Sequence, residues 1–377
     1  MTGNRTGVWL VGARGSVATT AVAGAAALRA GVLPPTGLVT ALPDFAGIDL
    51  PALDDLVFGG HDVVVSHPAK RAELLTRAGV LPSGVAGLVV DDLIAADAEV
   101  RPGAHADAPD PQWAVVERLA ADISDFRRRN GLRRVLVVNV AATEPPVVPH
   151  AAHADWSALE VELGRGVVLP PSSLYACAAF LAGCGFVDFT PSTGARLPAL
   201  HQLAVERGAP YAGSDGKTGE TLVKSVLASL FTRRALRVRS WSGTNLLGGG
   251  DGANLADADR AAAKAASKAV VLERLLGHPV EGGVHIHHVE DLGEWKTAWD
   301  HIGFEGFLGV RMTMQFTWQG CDSALAAPLV LDLARLLCLA DGGGPVPELG
   351  FFFKDPLGVV EHGLEAQYAA LVRWARR

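Results

Sequence analysis

Apolar positions along the chain come in two textures. Up to about residue 220, short unbroken apolar runs alternate with longer stretches of small and apolar residues at helical spacing. The run Val8–Val11 ends in Gly12-Ala13-Arg14-Gly15 and gives way to SVATTAVAGAAALRAG. A continuous apolar run closed by glycine predicts a strand buried on both faces, and the small-residue stretch predicts a helix packed tightly against it. The same alternation recurs in DDLVFGGHDV (54–63), in the helical pattern over 114–131, in the strand Val135–Val140, and in 169–192, which reads as turn, buried helix, strand and loop. Strands alternating with helices over about 220 residues predict a doubly wound parallel sheet.

After GSDGKTGETLVKSVLASLF (213–231) the texture changes. RALRVRSWSGTNLLGG, GGVHIHHVEDLG and VRMTMQFTWQG alternate apolar with polar, which predicts a second sheet, antiparallel, with one face open. Between them, 248–275 opens on glycines and continues as an alanine-rich helix. SALAAPLVLDLARLLCLA (323–340) reads as an amphipathic helix, and 341–347 as a short loop before FFFKDPLG. No internal repeat or low-complexity linker is visible.

Composition narrows the function classes. The chain has 377 residues, 49% hydrophobic and 19% charged, which suits about two packed domains rather than a disordered chain. A net charge of −7 argues against a nucleic-acid or anionic-membrane partner. Cys177, Cys184, Cys321 and Cys338 form no CxxC pair and read as buried thiols in a reducing cytoplasm. The N-terminal apolar stretch is broken by Arg14 with no cleavage site after it, so no targeting segment is expected.

The basic residues are unevenly chosen: seven lysines stand against twenty-six arginines. Lysine is a compact cation whose pKa can fall far enough to exchange a proton, which arginine's cannot. Six of the seven lie between 217 and 354, and Arg260, Lys264 and Lys268 stack four residues apart on one predicted helix face. No acid in the stripe offsets them, and like charges at this spacing cost about 0.2–0.5 kcal/mol per pair. Lys217-Thr218-Gly219-Glu220-Thr221 sits at a predicted helix N-terminus, where backbone N–H groups suit a phosphate. The Gly12–Val17 turn has the strand–turn–helix form of a dinucleotide site, although Arg14 replaces a glycine of GxGxxG and no acid follows about 20 residues on. His285 and His287 share a strand face without a third ligand, so they read as surface histidines and no metal site is assigned.

Ten motifs in order then carry a family resemblance. They are VGARGSVATT, FGGHDV, NGLRRVLVVNVAATEPP, LPPSSLYACAAFLAG, GSDGKTGETLVKSVL, NLLGGGDGANL, the Lys264/Lys268 helix, LGEWKTAWDHIGFEGFLG, CDSALAAPLVLDL and FFFKDPLG. Together they resemble the myo-inositol-1-phosphate (inositol-3-phosphate) synthase family over nearly the whole chain. The resemblance implies a cytoplasmic homotetramer that cyclises glucose 6-phosphate with NAD. The steps would be oxidation at C5, enolisation, aldol closure and return of the hydride. An activating cation is an expectation without assigned ligands.

It further implies α/β architecture: a Rossmann-type NAD domain from 1–220 and 326–377, with an α+β catalytic and oligomerisation domain, 221–325, inserted. Lys264, Lys268, Lys296 and Lys354 match the family's catalytic lysines, with Asp251 beside them. Lys264 and Lys354 are expected to serve proton transfer and oxyanions; Lys268 and Lys296 are expected to hold phosphate and enolate oxygens. Lys217, Thr218, Gly219, Glu220, Thr221 and Asn245 would bind substrate, Glu220 pointing away from the phosphate. Gly12, Arg14, Gly15, Ser16, Val17, Asp62, Ala141, Ala142, Thr143, Asp215, Asp322 and Ser323 would bind the cofactor. Asp62 would take the adenosine ribose and favour NAD over NADP. A paralogue making another cyclitol phosphate, and a plain NAD-dependent sugar-phosphate dehydrogenase, remain open alternatives.

Overall fold

The computed structural model describes residues 5–105, 110–248, 272, 275–359 and 361–377. Strands β1 (Thr6–Val11), β2 (Leu56–Asp62), β3 (Val100–Pro102), β4 (Arg134–Asn139), β5 (Gly185–Asp188) and β6 (Pro210–Gly213) belong to one sheet. β11 (Gly344–Pro345) completes that sheet, and β7 (Arg237–Leu247), β8 (Val284–His288), β9 (Trp295–Glu305) and β10 (Arg311–Cys321) form a second. The described α-helices are α1 (Ser16–Arg29), α2 (Pro68–Arg77), α3 (Val85–Leu88), α4 (Val90–Ala98), α5 (Gln112–Arg129), α6 (Trp156–Leu163), α7 (Pro171–Leu181), α8 (Pro198–Glu206), α9 (Gly219–Arg233), α10 (Asp322–Leu336) and α11 (Leu364–Ala375).

The large sheet has the order β11-β6-β5-β4-β1-β2-β3, and every pair in it is parallel. The chain winds outward from β1 in both directions, so a topological switch point falls between β1 and β4. Open parallel sheets bind ligands at the carboxyl ends of strands at such a point. The strand period of two divides the core. Val8 and Leu10 pack with α1 and α10 on one face, while Trp9 and Val11 pack with α5 and α7 on the other. All four are at most 2% exposed, which explains why β1 reads as unbroken apolar sequence. Each such side chain contributes about 1.5–3 kcal/mol by burial. The alanines of α1 let α10 approach closely, with Ala18, Ala25 and Ala26 in the same cluster as Val330 and Leu331.

The second sheet, β10-β9-β7-β8, packs α9 through Ala228, Phe231, Val238, Trp241 and Ile302. Its architecture differs from expectation in two respects. β8 runs parallel to β7, not antiparallel, while β9 is antiparallel to both β7 and β10. β9 itself, inside LGEWKTAWDHIGFEGFLG, supplies the central pairing that the alternating runs did not announce. The four cysteines are free thiols, three of them buried and Cys338 half-buried. Among the described residues no helix is long and apolar enough to cross a membrane.

Candidate functional site

The turn after β1 is held from below by β2. Gly12 and Ala13 both donate their N–H to the carbonyl of His61, at 2.9 and 3.2 Å. Gly12 has φ +83°, and a Cβ there would stand 2.8 Å from Ala141 Cα, so only glycine fits. β2 places Asp62 beside this turn because His61 lies opposite Val11 in the parallel register. The Asp62 carboxylate accepts from Arg14 N at 2.7 Å and Val64 N at 2.8 Å. Arg14 extends away from the turn: its Nε meets Asp97 Oδ1 at 2.7 Å and its Nη1 meets the Val64 carbonyl at 2.9 Å. The arginine that replaces a fingerprint glycine therefore ties the turn to α4.

A cleft of about 820 Å³ opens over the carboxyl ends of β1, β2 and β4. Gly12, Arg14, Gly15, Asp62, Ala141 and Ala142 line it, whereas Ser16, Val17, Thr143, Asp215, Asp322 and Ser323 do not. α1 begins at this cleft with Gly15 as an uncapped N-cap and no acid in its first turn. That leaves N–H groups and the positive end of the helix dipole for an anion. Beneath the cleft, buried His61 accepts from Trp9 Nε1 at Nδ1, 2.8 Å away, so its proton sits on Nε2, 3.2 Å from Asp122. Burial lowers the His61 pKa and keeps the ring neutral.

Two of the expected lysines each meet one of the expected aspartates. Lys296, near the start of β9, pairs with Asp322 at the start of α10, and Thr218 Oγ1 donates to the same Oδ1 at 3.2 Å. The lysine leans over the first turn of α9. Gly219 has φ +54°, and a Cβ there would lie 2.9 Å from Lys296 Nζ. Thr218 caps α9 without a side-chain hydrogen bond to the helix, so the N–H groups of that turn keep their anion-binding character. Lys354 Nζ donates to Asp215 Oδ1 at 2.7 Å, and Lys354 N to the Asp215 carbonyl at 2.7 Å.

The remaining expected substrate contacts turn inward. Asn245 Nδ2 donates to Glu220 Oε2 at 2.8 Å, and both residues are 4% exposed. Lys224 Nζ lies 2.5 Å from Glu220 Oε1 and 3.4 Å from Asp300 Oδ1, which also accepts from Trp241 Nε1 at 2.6 Å. Burial raises the Asp300 pKa. Lys217 is 6% exposed and donates to Gln367 Oε1 at 2.8 Å; desolvation brings its pKa down to about 8. Thr221 is buried as well. The side chains of Lys217, Glu220 and Asn245 thus support the first turn of α9 from within.

Lys264, Lys268 and Asp251 lie outside the described residues. His285, His287 and His288 are exposed on the edge strand β8, and the described residues contain no cluster of three metal-ligating groups. Sequence reading missed Glu294. Its carboxylate accepts from Ser16 Oγ at 3.0 Å and Ser323 Oγ at 3.4 Å, and lies 3.6 Å from Arg71. This acid joins the glycine turn to the Lys296–Asp322 pair, and nothing in the sequence shows its direction. Lys224 was visible four residues after Glu220, a spacing that places the two on one helix face.

These features define a Rossmann-type nucleotide-binding α/β protein with a lysine-bearing second sheet. The model of the myo-inositol-1-phosphate synthase family, an NAD-binding family, matches residues 6–376. The chain belongs to that family. It is 32% identical to inositol-3-phosphate synthase 1 of Bacteroides thetaiotaomicron, over 98% of this chain and 93% of the relative. It is also 32% identical to inositol-3-phosphate synthase 1 of Bos taurus, over 81% of this chain but only 61% of the bovine protein. The solved inositol-3-phosphate synthase of Caenorhabditis elegans shares the fold, with TM-score 0.86, 22% identity, and coverage of 99% of this chain and 85% of that one.

Proposed function

We propose that this chain is an inositol-3-phosphate synthase, an isomerase that closes D-glucose 6-phosphate into 1D-myo-inositol 3-phosphate without net redox change. The observation that carries the reading is Lys296 standing over the uncapped first turn of α9, oriented there by Asp322. A lysine beside the uncapped N–H groups of a helix N-terminus suits a phosphate ester. Family membership narrows the ester to a sugar phosphate.

The cleft fits a dinucleotide. Gly12 leaves room for a close backbone approach, α1 offers an uncapped N-terminus, and the Asp62 carboxylate suits a ribose diol. Gly12, Gly15, Ser16, Val17 and Asp62 would hold NAD, with Ala141, Ala142 and Thr143 beside it. When bound, NAD supplies a reversible hydride acceptor. The chain's own groups carry the rest. Lys296 holds phosphate and enolate oxygens. Lys354, oriented by Asp215, stabilises oxyanions and moves protons. Lys264 and Lys268 are assigned parallel roles with Asp251, on the family motif alone.

We assign residues 1–220 and 326–377 to the NAD domain and 221–325 to a catalytic and oligomerisation domain of a cytoplasmic homotetramer. Exposed Trp299, Phe307, Leu308 and Met312 on β9, β10 and their connection support a role for that sheet in assembly. An activating cation remains part of the proposal, without ligands. A second reading, a paralogue acting on another sugar phosphate, is favoured by the Asn245–Glu220 bond, which withdraws a side chain expected to touch the sugar. The test is glucose 6-phosphate with substoichiometric NAD, followed by NMR and by NADH absorbance. Inositol phosphate without net NADH supports the synthase, and stoichiometric NADH means a dehydrogenase. No turnover, followed by turnover of another hexose or heptose phosphate, means the paralogue.

A further inference from the structure

Asp188 closes β5 at the carboxyl end of the large sheet, and no step above uses it. It is 1% exposed. Its Oδ1 accepts three hydrogen bonds: from Thr190 N at 3.1 Å, Thr190 Oγ1 at 2.8 Å and Asn139 Nδ2 at 3.2 Å. Its Oδ2 has no hydrogen-bond partner among the described residues and faces Gly194, where a Cβ would overlap it. Two branches leave this carboxyl. Asn139 Oδ1 accepts from Ala141 N at 3.2 Å, on the wall of the cleft. The Thr190 carbonyl accepts from Asp215 N at 2.9 Å, and Asp215 holds Lys354.

We propose that Asp188 is a positioning residue that acts as the neutral acid, its Oδ1 aligning the Ala141 wall of the cleft with the Asp215–Lys354 pair while a proton on Oδ2 keeps charge out of the interior. The donors on Oδ1 and the Arg196 charge favour the carboxylate, but burial at 1% exposure with no partner for Oδ2 opposes it more strongly, because an unpaired hydroxyl costs less to bury than an unpaired share of a negative charge. Burial accordingly pushes the carboxyl up to about 7. The charged groups around it are few. Arg196 is a cation whose charge favours the ionised form, and it is held by Asp355 at 2.8 Å and by Ser214. Glu144 stands on the loop after β4, and Asp215 and Lys354 neutralise one another. β4 presents neutral Asn139, β6 presents Gly213, and α7 presents Ser172 and Ser173 towards Gly194. An ionised Asp188 would draw Arg196 from Ser214, the residue next to Asp215.

The inference rests on the proposed role of the cleft and of Lys354. Its test compares wild type, Asp188→Asn and Asp188→Ala from pH 6 to pH 9. Asparagine keeps the Oδ1 acceptor and places an N–H where the acid carries its proton. The wild type should lose turnover about tenfold between pH 6 and pH 8, as one ionisation near 7 requires. Asp188→Asn should match the wild type at pH 6 within about threefold and stay flat to pH 8. Asp188→Ala should be low in kcat throughout. Calorimetric NAD binding and pH-dependent melting give readouts that need no sugar chemistry. If no sugar phosphate turns over, the proposed function fails, while melting extended down to about pH 4 still reports the proton: the folded acid holds its proton up to about 7 and the unfolded one loses it at about 4, so the stability advantage of Asp188→Asn over wild type should grow as pH rises from about 4 to about 7 and level off above that. An asparagine variant that tracks the wild-type pH curve in melting and binding, or that fails like alanine at pH 6, would overturn the proposal.

Discussion

Gly219→Ala separates backbone strain from lysine placement. Gly219 opens α9 at φ +54°, a region that costs an L-residue about 1–2 kcal/mol. The new Cβ would also stand 2.9 Å from Lys296 Nζ, 3.1 Å from its Cε and 3.4 Å from Trp318 Nε1. The lysine end is flexible, so relieving that crowding costs little in stability, but it moves Nζ off its place above the helix turn. A displaced charge donor of this kind costs about 2.7–4 kcal/mol of transition-state stabilisation, or 10²–10³ in kcat. Gly131→Ala is the matched control: it has φ +59° with nothing within 4 Å of the added Cβ. Both variants should melt a few degrees lower. Only Gly219→Ala should lose turnover, measured as inositol phosphate by NMR under saturating sugar phosphate. If the two variants melt alike and turn over alike, Lys296 is not required where it stands, and the reading of the α9 turn fails.

Other perturbations follow from the same geometry. Lys354→Met leaves the cleft lining untouched, so kcat should fall about 10²–10³-fold with NAD affinity by calorimetry unchanged within a few-fold; parallel losses in both would refute its assignment. The buried Lys217 has its pKa lowered to about 8 from 10.5, so the folded state sheds its proton first and stability should rise as pH climbs from about 8 to 10.5. Urea melts should show a slope approaching about 1.4 kcal/mol per pH unit there, absent in Lys217→Met. Asp332 accepts from Val39 N at 2.6 Å, Thr40 N at 3.2 Å and Thr40 Oγ1 at 2.5 Å. Asp332→Ala strands these donors and should cost about 3 kcal/mol or more by denaturation, while Asp332→Asn should lose less.

The legible parts of the molecule were those where burial and hydropathy agree. The centres of β1, β4 and α7 are apolar and buried, so pattern alone located them. β9 inverts the rule. Its inward positions include Ala298, Asp300 and Ile302, whereas Trp295 and Trp299 face outward, so its alternation points the wrong way. The direction of β8 was also hidden, because side-chain alternation is the same in parallel and antiparallel strands. At the site, residue types carried information and orientations did not. Asp215 and Asp322 were placed near the chemistry, yet only the structure shows each gripping one lysine. Glu220 and Asn245 sit within the expected motifs, but their mutual hydrogen bond depends on how β7 crosses α9.

The order of elements has a consequence for synthesis. α10, which covers the alanine face of α1, and β11, which flanks β6, are made only after the whole second sheet has been translated. A nascent chain stopped before residue 322 therefore carries a parallel sheet with one apolar helix layer uncovered and the β6 edge unpaired, the type of surface that chaperones bind and that aggregates when they are absent. Truncation from the C-terminus should for this reason yield insoluble protein rather than a smaller working domain.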